Sequence, residues 1–179
     1  MKAIFKIFPA TAFAALLAGC NGGITIADDS GTQSIRIHEG SIAIHRTGAP
    51  EADVTVAGDL TIDGKPVALA PNQRDLLKQY YAQVMLVRAD GIATGKAGAS
   101  MAGHAIGDVA SGLAHGDPDS IGPAIDAHAK TVEAKALAIC GDMVALRAKQ
   151  DAIAAALPAF KPYASIHGNG KTDCEKGQD

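Results

Sequence analysis

From Ile125 to Leu157 apolar side chains return at alternating steps of four and three: Ile125, Ala129, Val132, Ala136, Ile139, Met143, Leu146, Gln150, Ile153, Leu157. Only Gln150 is polar. A seam of this period belongs to a long helix that buries one edge against another helix. Upstream, Pro71 suits a first helical turn, where its missing N–H costs nothing. Leu76, Leu77, Tyr80, Tyr81, Val84, Met85 and Val87 then recur at helical spacing. The inward stripe of this helix is expected to be Leu77, Tyr81, Met85, Ile92, Ala99, Ala102, Ile106, Val109 and Leu113. Continued to about His115, it would be roughly 67 Å long at 1.5 Å per residue. Gly116-Asp117-Pro118 breaks the chain, Ser120 can cap a second helix with Pro123 in its first turn, and Pro158 and Pro162 end it. Residues 71–157 are therefore expected to form a long antiparallel two-helix hairpin.

Gly91, Gly95, Gly98, Gly103, Gly107 and Gly112 crowd the first of these helices. Each costs up to about 1 kcal/mol relative to alanine in a helix interior, so the density needs a reason. Gly91, Gly95, Ala99, Gly103, Gly107 and Ser111 place a small residue at every fourth position, a ridge that lets another helix approach closely. Steps of four drift about 40° each around the helix, so only a few successive members can face one partner. Close packing inside the hairpin is the expected use. A break in the helix, or self-association through Gly91, Gly95, Gly103 and Gly107, are the alternatives. A membrane-inserted glycine zipper is excluded by Arg88, Asp90, Lys96, His104 and Asp108.

Before the hairpin the period changes to two. Ile35 and Ile37, Ile42 and Ile44, Val54 and Val56, Leu60 and Ile62, and Val67 and Leu69 alternate with polar or small residues. Glu39-Gly40 and Gly48-Ala49-Pro50 separate strands, and Asp63-Gly64 signals a two-residue type I′ hairpin. Four or five short strands over 35–70 make a meander whose apolar face must lie on the helices. The fold class expected is α+β: a short antiparallel β-meander followed by a long antiparallel two-helix hairpin.

The amino end carries an address. Lys2 and Lys6 precede an apolar run from Ile7 to Ala18, too short to span a bilayer as a helix. Leu17-Ala18-Gly19-Cys20 closes it and resembles the lipobox of bacterial lipoproteins. The resemblance implies a signal peptide over 1–19, diacylation of the Cys20 thiol (palmitate among the chains) and acylation of its new amine. Asn21 after the cysteine, by resemblance to enteric sorting rules, favours the outer membrane over the inner. Residues 20–34, polar and rich in Gly, Asp, Ser and Thr, read as the lipidated Cys and an unfolded tether. Removing Lys2 and Lys6 takes the net charge from −3 to −5, which argues against a nucleic-acid partner. With Cys20 acylated, Cys140 and Cys174 remain as an even pair in an oxidising compartment. A disulfide that staples the 158–179 tail is favoured over a redox pair, because the two lack the close spacing that lowers a thiol pKa.

Gly58-Asp59-Leu60-Thr61-Ile62-Asp63-Gly64-Lys65-Pro66-Val67, then Leu69 and Asn72-Gln73-Arg74 with Tyr80, resembles the YggN-like family, periplasmic proteobacterial proteins with a domain of unknown function. Cys140, Gln150, Leu157-Pro158-Ala159-Phe160-Lys161-Pro162-Tyr163 and Cys174 resemble its shorter members. The resemblance covers most of 35–174. It implies a secreted strand-then-helix domain and brings no activity, cofactor or catalytic residue.

Chemistry could lie among six histidines. His104 and Asp108 are one turn apart on one face, and a turn near residue 117 places His128 opposite residue 106. The three could converge as two nitrogens and one oxygen, a set suited to a transition metal. There is no Gly-x-Ser-x-Gly elbow, no P-loop ending and no cysteine left as nucleophile, so an enzyme is not expected and no cofactor is implied. The role expected is a non-enzymatic interaction or structural lipoprotein of the periplasmic face. A small-ligand or metal-binding module centred on His104, Asp108 and His128 is the alternative.

Overall fold

In the computed structural model, which describes residues 24–28, 31–115 and 121–166, six strands run in chain order. They are β1 (Ile24–Asp28), β2 (Gly31–His38), β3 (Ser41–Arg46), β4 (Ala52–Thr55), β5 (Leu60–Ile62) and β6 (Lys65–Pro66), and each pairs antiparallel with the next in one sheet. Helix α1 (Pro71–His115) and helix α2 (Ile121–Ala156) follow, and a 3-10 helix (Pro158–Tyr163) closes the described chain. The α+β architecture of a meander and a helical hairpin is the one expected.

Register explains which face of the sheet is apolar. Ile35 lies opposite Ile44, Ile37 opposite Ile42, Ile42 opposite Val54, Ile44 opposite Ala52, Val54 opposite Leu60 and Ala52 opposite Ile62. Because side chains alternate, all of these fall on one side. The other side carries Arg36, His38, His45, Asp53 and Thr61, with an Arg36–Glu51 ion pair that is half exposed and so contributes little. Asp63 and Gly64 both take positive φ, 54° and 69°, as a type I′ turn demands. Gly58, at φ 78°, allows the sheet to touch α1, since a Cβ there would stand 2.3 Å from the Arg74 carbonyl oxygen.

Two sequence readings of this region change. The segment read as an unfolded tether forms β1 and the start of β2, with Ile24 opposite Ile35 and Asp28 opposite Gly31. Its Ile24-Thr25-Ile26 alternation is short and sits among turn formers, which masks it in the sequence. The Val67 to Leu69 strand is replaced by the two-residue β6, although the Val67 N–H still donates to the Leu60 carbonyl at 2.9 Å. Cys20, Gly116-Asp117-Pro118, Ser120 and Cys174 lie outside the described residues.

The apolar sheet face closes on the base of the hairpin. Ile35, Ile42, Ile44, Val54 and Leu60 form one cluster with Leu77, Tyr80, Val84 and Val87 of α1, Leu146 and Ile153 of α2, and Leu157, Phe160, Tyr163 and Ile166 beyond it. Phe160 and Tyr163 anchor the tail, Phe160 meeting Tyr80 edge to face at 5.6 Å. Gln73 ties the base shut. Its Oε1 accepts from the Ala70 N–H at 2.9 Å, half of a capping box, and its Nε2 donates to the Ala156 carbonyl at 2.7 Å, the last of α2. Gln150, the polar member of the α2 seam, is fully buried, accepts from the Ile166 N–H at 3.1 Å and donates to the Ile166 carbonyl at 3.4 Å.

α1 is continuous through its glycines, so the alternative of a break in the helix is not realised. Beyond Val87, however, its inward face differs from the stripe expected. Thr94, Ala97, Gly98, Met101, Ala105 and Asp108 are half-buried and Gly112 is buried. Ile92, Ala99, Ala102, Ile106 and Val109 face solvent instead. Nor do the glycines seat α2: a Cβ at Gly91, Gly95, Gly98, Gly103 or Gly107 would meet nothing within 4 Å. The expectation that they serve close packing inside the hairpin is overturned.

Two tyrosines test this core. The Tyr80 hydroxyl is buried, has no hydrogen-bond partner among the described residues, and desolvation pushes its pKa well up. Tyr163 instead donates to the Pro50 carbonyl at 2.8 Å. Urea unfolding should show Tyr80→Phe gaining about 1 kcal/mol and Tyr163→Phe losing about 1 kcal/mol. A loss in Tyr80→Phe would reveal a partner for that hydroxyl.

Candidate functional site

The chemistry-bearing side chains outside the core gather on the distal hairpin. His104 and His128 stack with ring centroids 4.9 Å apart and planes 7° from parallel, and His128 Nε2 lies 3.6 Å from Asp108 Oδ2. The three residues expected to converge do meet, because antiparallel packing sets residue 104 beside 128. They do not make a metal cage. Ring-nitrogen lone pairs lie in the ring planes, and two stacked parallel planes cannot aim both at one ion about 2 Å away. Among the described residues no group of three or more His, Cys, Asp or Glu side chains could hold a metal ion. Asp108 Oδ2 itself is buried without a hydrogen-bond partner, the His128 contact being too long for one. His38 and His45 are exposed on the outer side of the sheet and join no cluster.

A second polar contact spans the hairpin and was not read from sequence. Gln83 Nε2 donates to both the carbonyl and Oδ1 of Asp142, each at 3.2 Å. Asp142 also shares a hydrogen bond with Asp90, which holds its pKa above the usual carboxylate range, with burial and the Asp90 charge acting in the same direction. Asp90 with Asp142 and His104 with His128 both sum to 232, so the register that finds one pair finds the other. Cys140 is half-buried on α2.

Concave sites are poor in converging groups. A shallow concavity of about 490 Å³ is lined by Lys130, Thr131, Ala134, Lys135 and Ala138, all from one helix. The larger feature is the bare side of α1. Ile92, Ile106 and Val109 are 46%, 74% and 40% exposed, with the exposed Gly95, Ala99 and Ala102 between them at heptad spacing. Upstream at the same spacing stand Arg88 and Met85, half-buried, and Tyr81, which packs on the core. The stripe thus begins against the core at Tyr81 and continues uncovered past Arg88. No helix among the described residues is long and apolar enough to cross a membrane.

Two measurements follow. Because the folded state holds the Asp142 proton to higher pH than the unfolded chain does, this group's contribution is full below the ordinary carboxylate pKa and is lost as pH rises through the raised one. Asp142→Asn should therefore flatten the loss of stability as pH rises above the ordinary carboxylate range, read by thermal melts; an unchanged slope would remove the shared proton. Gly107→Ala, with open space and helical backbone, should stabilise by about 0.5–1 kcal/mol in urea unfolding. Destabilisation there would mean that the position is covered in solution.

No curated protein and no solved structure matches the chain. One family model does, that of a protein of unknown function (DUF2884), over residues 30–122. The match takes in β2 through β6, the turns between them and the whole of α1, including its bare stripe, and it spans just over half of the chain. The chain belongs to the DUF2884 family.

Proposed function

We propose that the protein is a lipid-anchored, non-enzymatic component of the bacterial cell envelope that works by presenting the uncovered side of α1 to another protein. One observation carries the reading: a heptad stripe that starts against the core at Tyr81 and, past Arg88, runs on as an apolar face without cover. The anchor is supported by Leu17-Ala18-Gly19-Cys20 at the end of a signal-type segment. The periplasmic address is supported by the resemblance of 58–67 to YggN-like proteins, and Asn21 favours the outer membrane. Cys140 and Cys174 make the disulfide that such a compartment permits, fixing the tail to the middle of α2.

The short lead from Cys20 to β1 sets the geometry. Four residues, fully extended, span at most about 14 Å, so the sheet is the end of the fold tied to the bilayer. α1 continues past Val87 for about 28 residues, or about 42 Å, beyond the sheet-covered base. A rigid base with a projecting hairpin suits contact with a neighbour in the envelope better than enclosure of a small molecule.

The anchor and the contact are tested separately. Cys20→Ser should abolish palmitate labelling and move the product from the membrane fraction to the soluble periplasm; retention in membranes sinks the anchor. A photo-crosslinking residue at Ile106 should capture protein in intact cells, and one at Arg36 on the outer side of the sheet should not. Adducts to lipid alone at both positions would end the interaction reading.

A further inference from the structure

We propose that the uncovered stripe of α1 pairs with the same stripe of a second copy, antiparallel and centred between Ser100 and Met101. This inference rests on the interaction reading above and names its partner. Between Ile92 and Val109 the stripe reads Ile92, Gly95, Ala99, Ala102, Ile106, Val109. Reversed onto itself about that centre, Ile92 meets Val109, Gly95 meets Ile106, and Ala99 meets Ala102. The missing side chain at Gly95 receives the most exposed aliphatic, Ile106, while a Cβ at Gly95 would find only open space in the single chain. A parallel pair would set Gly95 against Gly95 and Ile106 against Ile106, leaving a void beside a crowded contact.

Two further observations favour the same centre. Of the flanking positions in an antiparallel pair, Lys96, Gly103 and Ala110 are exposed on one side, and on the other Gly91 is exposed while Gly98 and Ala105 are half-buried and Gly112 is buried. Most are small, which permits close approach of the backbones, and no like charges are opposed at the centre. The uncovered length also fits itself. The sheet-covered core ends at Val87 and α1 ends at His115, so the bare part of the helix is centred within one residue of the pairing centre. The end of each α1, at His115, then lies beside the partner's residue 86, where the covered base begins. The contact is an extension of the helix face that already packs on the core through Tyr81.

The test uses the mature chain carrying its native cysteines. Gly95→Cys with Ile106→Cys should give a covalent dimer under mild oxidation, whereas each single substitution and the parent chain should not. Within one chain those positions are about 16 Å apart along the helix, too far for an internal bridge. Sedimentation equilibrium should show a reversible dimer for the parent chain. Ile106→Lys, at a site exposed in the monomer, should retain the circular dichroism spectrum and lose the dimer. Crosslinking by Gly95→Cys alone would overturn the register in favour of a parallel one. A parent chain that stays monomeric up to about 200 µM, with no double-cysteine crosslink, would overturn self-pairing. Were Ile106 then to capture a different protein in cells, the interaction reading would stand without this partner; capture of none would end both.

Discussion

A sheet with one apolar face and no second sheet must be covered by something, and that need organises the molecule. Ile35, Ile42, Ile44, Val54 and Leu60 are removed from water only because α1 begins, α2 ends and the 3-10 helix turns across the same side of the sheet. Burying five such side chains is worth on the order of 10 kcal/mol before chain entropy is counted, enough to fix the base. Two glutamines, half-buried Gln73 and buried Gln150, make that closure specific. Gln73 joins the first turn of α1 to the last carbonyl of α2, and Gln150 holds the strand-like backbone at Ile166 against the helices. An apolar side chain at either place would leave backbone groups buried and unpaired.

Away from the base the two helices hold each other by a different economy of size. α2 supplies the bulk through Ile125, Val132, Ile139 and Met143, and α1 answers mostly with Thr94, Ala97, Ala105 and Gly112, Met101 excepted. Large against small is a packable combination. It also leaves the seam thin. Polar pairs then occupy positions that aliphatics fill near the sheet: Gln83 with Asp142, Asp90 with Asp142, and the His104, His128 and Asp108 contact. These contacts match partners across the hairpin and so fix its register, whatever their net worth.

Much of this was legible in the residues. The two periods, 2 before Pro71 and 3.5 after it, separate strands from helices, and both helix ends fall within a residue of where Pro71, His115 and Leu157 place them. Asp63-Gly64 announces its turn because few residues tolerate positive φ. The meeting of His104, Asp108 and His128 follows from the turn position alone. Ring orientation does not, and it is orientation that removes the metal site. β1 escaped because its alternation is three residues long, and the shared proton of Asp142 because like-charged residues are not ordinarily sought as partners.

The face of α1 is the deeper case, since its sequence carries two stripes at heptad spacing. Thr94, Met101 and Asp108 mark one; Ile92, Ala99 and Ile106 mark the other, and Met101 and Ile106 are about 140° apart around the helix. Hydrophobicity selects the second, as the richer in aliphatics. The structure gives α2 the first. A hairpin can satisfy the poorer stripe because α2 brings its own bulk, and strand contacts at Leu77, Tyr80 and Val84 fix the rotation of α1 before the distal turns are reached. Once that rotation is set at the base, a continuous helix carries it outward, and the aliphatic stripe is left facing water. Isoleucine at the bare positions with glycine beside them fits the proposed second partner, because polar residues there would be more soluble and alanines more helical.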